Sequence, residues 1–383
     1  MKTVCETDRC TGCMACKDIC SQNAIEIKDS IRAYNAVIDT DKCISCGACY
    51  RVCQVNCPIS LNKPSRWYQG WAEDDNVRKN SSSGGIAAAI EKGFVLNNGE
   101  VCSCLFSDGK FHFQVASTLD EINKFAGSKY VKSNPTGCYH EVKKVLSKGK
   151  KVLFVGLPCQ VAAVKKFVGD NLTKNLYTMD LICHGSPDTK ILKAFLKQYN
   201  MNLSTMDSIS FRTKTVFQLK GDSRSVGMPG ALDKYSIAFL NSICYTENCY
   251  NCQYARLERA SDLTLGDSWG SDLAESEQKK GISLVLCQSK KGQELIDLAE
   301  LNLRDVDLER AVKNNHQLVA PSREPENREY FLKEIEQGTQ FNKIVYRCYP
   351  KSSIKQLIKG ILIKTKIIRG GGEIEYRITF RLK

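Results

Sequence analysis

Histidine is scarce in this sequence: four residues, at 112, 140, 184 and 316, too dispersed for a histidine-rich metal site. Long apolar runs are lacking as well, and none approaches the roughly 18 residues that span a bilayer. The opening stretch, MKTVCETDR, has no apolar core, so no secretory signal is expected. Nor is the charge spread evenly. The formal net charge is +13, but residues 351–383 hold nine Lys/Arg against two Glu, a balance of 9 − 2 = +7. That leaves +6 on the first 350 residues, with no aromatic-interleaved basic stripe of the kind that binds nucleic acid. The expectation is a cytoplasmic protein without a nucleic-acid partner.

What the chain does have is cysteine: twenty in 383 residues, ten of them within the first 57. Cytosolic thiols stay reduced, so cysteines at this density are expected to bind metal rather than form disulfides. DRCTGCMACKDIC (8–20) recurs as DKCISCGACYRVC (41–53), offset by 33 residues, with all four cysteines in register. The spacing C-x₂-C-x₂-C-x₃-C is that of cubane iron–sulfur clusters, in which the fourth cysteine of each run reaches the other cluster. Cys10, Cys13, Cys16 and Cys53 would hold one [4Fe–4S] cluster, and Cys43, Cys46, Cys49 and Cys20 the other. Zinc is the alternative, but its sites use paired C-x₂-C knuckles rather than runs of three plus one. Proline usually follows the fourth ligand; here Ser21 and Gln54 stand there, and Pro58 follows Cys57. Cys57 therefore remains an alternative to Cys53.

At 42% hydrophobic and 25% charged residues, the chain is of globular composition. The expected architecture is an α+β ferredoxin-like domain over 1–60, a linker over 61–76, an α/β domain over 77–345 and a basic tail over 346–383. Between the cysteine runs, 24–28 and 34–38 alternate as a small hairpin. Strands are expected at 100–106, 111–116, 151–156, 175–183, 207–212, 262–266 and 283–287. Helices are expected at 86–96, 138–148, 160–168, 188–199, 291–302 and 322–337. In the tail, apolar residues at helical spacing make 352–368 a basic amphipathic helix. It would attach to an anionic membrane or acidic partner, or pack its apolar stripe on the body with its lysines in solvent.

A third cysteine group is discontinuous. Cys159 (VGLPCQ) and Cys183 (DLICHG) follow expected parallel strands, at the sheet edge where α/β proteins bind ligands. Cys249 and Cys252 (CYNC) offer two more thiolates, although separate buried thiols would also explain all four. SSSGG (81–85), opening a helix, offers free N–H groups and small side chains to a phosphate or pyrophosphate. GSKY (127–130), His184 and Asp267 are weaker candidates, and Cys102 and Cys104 read as packing.

In order along the chain, SSSGG, GSKYV, VGLPCQVAA, LICHGSP, CYNC and DLTLGDSWG resemble the coenzyme F420 hydrogenase/dehydrogenase beta subunit family, over roughly residues 1–320. Its members often carry an N-terminal two-cluster ferredoxin domain. The resemblance implies an iron–sulfur flavoprotein oxidoreductase with an α/β flavin-binding domain, FAD rather than FMN, beside a third [4Fe–4S] cluster on Cys159, Cys183, Cys249 and Cys252. Flavin contacts would fall at Ser82, Ser83, Gly84, Gly85, Gly127, Ser128, Lys129, Tyr130, Gly156, Pro158 and Gln160. Electrons would pass between a hydride-carrying coenzyme such as F420 and a redox partner protein or ferredoxin. A ferredoxin-driven reductase of an organic, sugar-linked substrate is the alternative. A non-enzymatic electron carrier is another, although it would need only the first 60 residues.

Overall fold

The computed structural model of the chain describes residues 2–222, 224–228 and 230–367. It is a mixed α/β protein with thirteen strands among the described residues. β1 (Ile25–Asp29) and β2 (Tyr34–Ile38) form the expected antiparallel hairpin, with Ile25 opposite Ile38. β3 (Arg66–Ala72), β4 (Glu100–Ser107), β5 (Lys110–Ala116), β6 (Val152–Gly156) and β7 (Leu176–Leu181) follow. β8 (Ile209–Thr213), β9 (Val216–Gly221) and β10 (Arg224–Ser225) make a small separate sheet. β11 (Leu263–Asp267), β12 (Ser283–Cys287) and β13 (Leu301–Arg304) complete the set.

The main sheet runs β13-β3-β12-β11-β7-β6-β4-β5. Its centre, β11-β7-β6-β4, is parallel. β6 (VLFVG) is buried at every position, as a strand covered on both faces must be. Helix Pro158–Val168 starts immediately beyond it, with proline in the first turn, where its missing N–H costs nothing. The loops after β6 and β7 thus bring Cys159 and Cys183 to one edge of the sheet.

Two expectations are corrected. The stretch expected to be a linker contains β3, hydrogen-bonded between β13 and β12, antiparallel to both. Its Gly70 passes so close to β13 that a Cβ there would stand 2.2 Å from the Asn302 carbonyl oxygen. The helix expected over 291–302 ends at Asp297, because Leu301–Arg304 is claimed by the sheet edge beside β3.

The cysteine-rich unit is seated on the body and shares its core. Ala15, Cys16, Val52 and Cys53 belong to one apolar cluster with Tyr139, Val161 and Phe167. Polar ties fix the seat: Tyr34 Oη donates to Asp188 Oδ2 (2.6 Å) and Tyr139 Oη to the Cys13 carbonyl (2.7 Å). Arg328, fully buried, donates to Glu247 and to the carbonyls of Arg32 and Tyr245.

The tail helix spans Pro350–Lys364; the end expected at 368, and residues 369–383, lie outside the described residues. It packs through Ser353, Gln356 and Gly360, the last with room only for hydrogen against Met228. Ile354, Leu357, Ile358 and Ile361 face water. Of the two placements expected for the stripe, the one in which it covers the body is not observed: small and amide side chains make the contact.

Candidate iron–sulfur and ligand site

The 33-residue repeat is also a repeat of backbone geometry. Gly12 and Ser45 are both left-handed (φ 68° and 55°), as are Met14 and Gly47 (φ 63° and 71°). These turns aim amides at sulfur. Cys10 accepts from the Gly12 N–H, Cys13 from Ala15, and Cys53 from Val55 and Asn56. In the second half, the Ser45 N–H points to Cys43 Sγ (3.4 Å) and the Ala24 N–H to Cys20 Sγ (3.3 Å). N–H···S contacts of this kind stabilise and tune thiolate-bound clusters.

Electrostatic contacts link the thiols within and between the two runs. Cys16 feels Cys13, Cys10, Cys53 and Cys49, while Cys49 feels Cys20 and Cys43. Cys53 is buried beside Cys10, whereas Cys57 Sγ faces the Tyr50 carbonyl at 3.7 Å. Cys5, to which the sequence assigned no role, lies buried against both Cys10 and Cys53. The first group is enclosed. The second lies at the surface, with Cys46 exposed between Ile44 (63% exposed) and Tyr50 (54%).

Cys159, Cys183, Cys249 and Cys252 line one cavity, together with Lys132, His184 and Arg259. Cys183 accepts from the Gly185 N–H, and Cys252 from Tyr254 and Ala255. Burial pushes the Cys183 thiol up to about 12, so metal loading would release protons. This group adjoins the first: Cys159 feels Cys13, and Tyr139 and Tyr254 stand against both. Among the described residues, no three His, Cys, Asp or Glu side chains are drawn together tightly enough for a single metal ion. The grouping rests on shared neighbours and on N–H···S contacts.

A second polar cluster lies at the end of β11, around Asp267. His184 lines the cysteine cavity, and desolvation there pushes its imidazole down to about 4, leaving it neutral at pH 7. Beyond it Arg212 grips Asp267 with two 2.7 Å bonds and also donates to the Ser82 carbonyl. Burial opposes the charge of Asp267, but Arg212 outweighs it and holds the carboxyl below its usual range. Lys214 donates to the carbonyls of Ser83 and Arg78; burial and the two arginines lower its ammonium to about 8.

The expected flavin contacts fall unevenly. Ser82 Oγ accepts from the Ser128 N–H (2.8 Å), which joins two motifs 46 residues apart. Gly127 is open, with nothing within 4 Å of an added Cβ. Pro158 lines the cysteine cavity, and Gly156 ends β6 beside it. The Gly84 N–H is taken by Ser283 Oγ and its carbonyl by the Ala72 N–H, so Gly84 ties the loop to the sheet. Gly85, left-handed (φ 85°), leads into helix Ile86–Leu96. Ser83 Oγ donates to the Ile282 carbonyl. Lys129 donates to the carbonyls of Phe125 and Ala126, and Tyr130 stacks on Phe217 and Phe239. Gln160 binds the Leu157 N–H and Ser133 Oγ. Arg212 and Lys214 thus tie the serine–glycine loop, through the Ser82 and Ser83 carbonyls, to Asp267 and Arg78.

Residues 9–57 match the 4Fe-4S dicluster domain, and residues 149–308 match the C terminus of the coenzyme F420 hydrogenase/dehydrogenase beta subunit. Among solved structures, a chain of the F420-reducing [NiFe] hydrogenase complex from Methanosarcina barkeri, in a xenon derivative, is similar. It is 20% identical with a TM-score of 0.45, covering 69% of this chain and 97% of that one. No significant match was found among curated proteins.

Proposed function

We propose that this chain conducts electrons from a hydride site to the protein surface. It joins a 4Fe-4S dicluster domain to a domain matching the coenzyme F420 hydrogenase/dehydrogenase beta subunit family. The observation that carries this reading is the order of the three thiol groups. The body group (Cys159, Cys183, Cys249, Cys252) adjoins the enclosed group (Cys10, Cys13, Cys16, Cys53) through Tyr139 and Tyr254. The enclosed group adjoins the group at the surface (Cys20, Cys43, Cys46, Cys49), since Cys16 feels Cys49. Each would ligate one [4Fe–4S] cluster.

A hydride taken up beside the β11 cluster would yield two electrons and one proton, the electrons leaving singly. A flavin, FAD in this reading, supplies that conversion when bound. The chain's own residues have three tasks there. Lys214, beside the Arg212–Asp267 pair, would offer positive charge to an anionic ligand, the neutral His184 one hydrogen bond, and the seat between domains would keep water from the inner thiols. Ile44 and Tyr50 offer an apolar edge beside Cys46 for a redox partner.

The test is anaerobic. Purified protein is analysed for flavin, then exposed to reduced deazaflavin, NADH, NADPH or reduced ferredoxin. Bleaching by a hydride donor, followed by reduction of an added one-electron acceptor, supports the reading. Protein that binds no flavin overturns it. Bleaching by ferredoxin alone favours the reverse direction, reduction of an organic substrate.

The reading includes a place in the cell. Among the described residues no helix is long and apolar enough to cross a membrane. Helix Pro350–Lys364 instead lies on the body with its isoleucines outward, has no Asp or Glu, and carries Lys351, Lys355, Lys359 and Lys364. It would rest on the anionic inner face of a membrane.

A further inference from the structure

Two buried cations border the thiol groups, and neither belongs to a sequence motif. Lys132 is 7% exposed. Its Nζ donates to the Thr11 carbonyl at 3.1 Å, inside the first cysteine run, and stands 5.1 Å from the centre of the Tyr34 ring. No carboxylate among the described residues forms an ion pair with it. Arg259 is 1% exposed; its Nη1 donates to the Tyr254 carbonyl, while Nε and Nη2 have no partner. The nearby acid is Asp180, buried on β7. Both cations line the cavity of the body cysteines.

Burying an ammonium that only a carbonyl and a ring face is costly, unless a negative group lodges beside it. The thiols supply that group on two sides. Lys132 reaches the enclosed group at the Thr11 carbonyl, next to Cys10, and lines the cavity of the body group with Cys159. Arg259 lines that cavity with Cys183 and Cys252, bonded to the Tyr254 carbonyl two residues past Cys252. A reduced cluster carries one more negative charge than an oxidised one, so a fixed nearby cation stabilises the reduced form.

Resting on the three-group reading above, we infer that Lys132 is a positioning residue shared by the two inner clusters, holding both reduction potentials up together, whereas Arg259 acts on the body cluster alone. The pair would keep electrons on the enclosed part of the path until the outer cluster passes them on.

The experiment is an EPR-monitored redox titration of anaerobically reconstituted full-length protein. Wild type is compared with K132Q, K132R and R259Q, and C46S identifies the signal of the outer cluster. Lys132→Gln is expected to move two midpoints to more negative values and leave the outer one unmoved. Lys132→Arg restores both, and Arg259→Gln moves one. Three signals whose midpoints are all unchanged in K132Q overturn the inference. Wild-type protein with only two clusters overturns the underlying reading instead. Should K132Q lose iron, K132R decides: it keeps the cation, so retained iron and midpoints support the inference, and lost iron overturns it.

Discussion

Replacing Leu357 and Ile361 by serine should release the protein from anionic membranes. Four apolar side chains on this helix, Ile354, Leu357, Ile358 and Ile361, are 43%, 51%, 51% and 46% exposed. Full burial of such a side chain is worth about 1.5–3 kcal/mol, so covering the exposed half yields about 1 kcal/mol each. Lysines near an anionic surface add about 1 kcal/mol apiece. Removing two of the four apolar contacts should therefore cost about 2 kcal/mol, weakening binding roughly 30-fold. The assay is co-sedimentation with phosphatidylserine-containing vesicles, with phosphatidylcholine vesicles as the neutral control. Both side chains are about half exposed, so the melting temperature should fall little. Equal sedimentation of variant and wild type, or equal binding to neutral vesicles, would refute the reasoning.

Three other outcomes follow from the geometry. Cys53→Ser should lose one cluster's iron and EPR signal, while Cys57→Ser keeps all of them; the reverse would exchange their roles. Arg212→Leu leaves Asp267 without its guanidinium partner. Breaking such a pair should cost about 3 kcal/mol in urea unfolding, and an unchanged midpoint would contradict the buried pairing. Glu91, buried on helix Ile86–Leu96, has its carboxyl pushed up to about 8 by burial. The folded state then holds a proton that the unfolded chain releases above about pH 4.3. Stability attributable to this group is lost as pH rises from there towards 8. Glu91→Gln should flatten that loss, and parallel pH profiles for the two proteins would count against it.

Local signals carried much of this structure. The hairpin expected at 24–28 and 34–38 is observed at 25–29 and 34–38, and β12 occupies the expected 283–287. Parallel strands such as VLFVG announce themselves by continuous apolar character, and the two cysteine runs by spacing. What escaped depends on distant partners. β3 contains Gly70 and follows Pro58 and Pro64, so it resembles a linker until β12 and β13, more than 200 residues on, pair with it. The tail helix shows the correct amphipathic period, yet which face docks depends on the surface presented by Met228 and Leu232. Lys132 and Arg259 are single basic residues in no motif; only folding places them beside thiols. Conversely, Gly84 matched a ligand-binding pattern, but its N–H and carbonyl serve the sheet.

The central claim is a path of three clusters, and iron content with EPR of the fully reduced, reconstituted protein tests it most directly. The account expects about twelve iron and twelve labile sulfides per chain, falling to about eight in a Cys159→Ser/Cys183→Ser variant that keeps both ferredoxin-type signals. About eight iron in the wild type, unchanged by that variant, would contradict it.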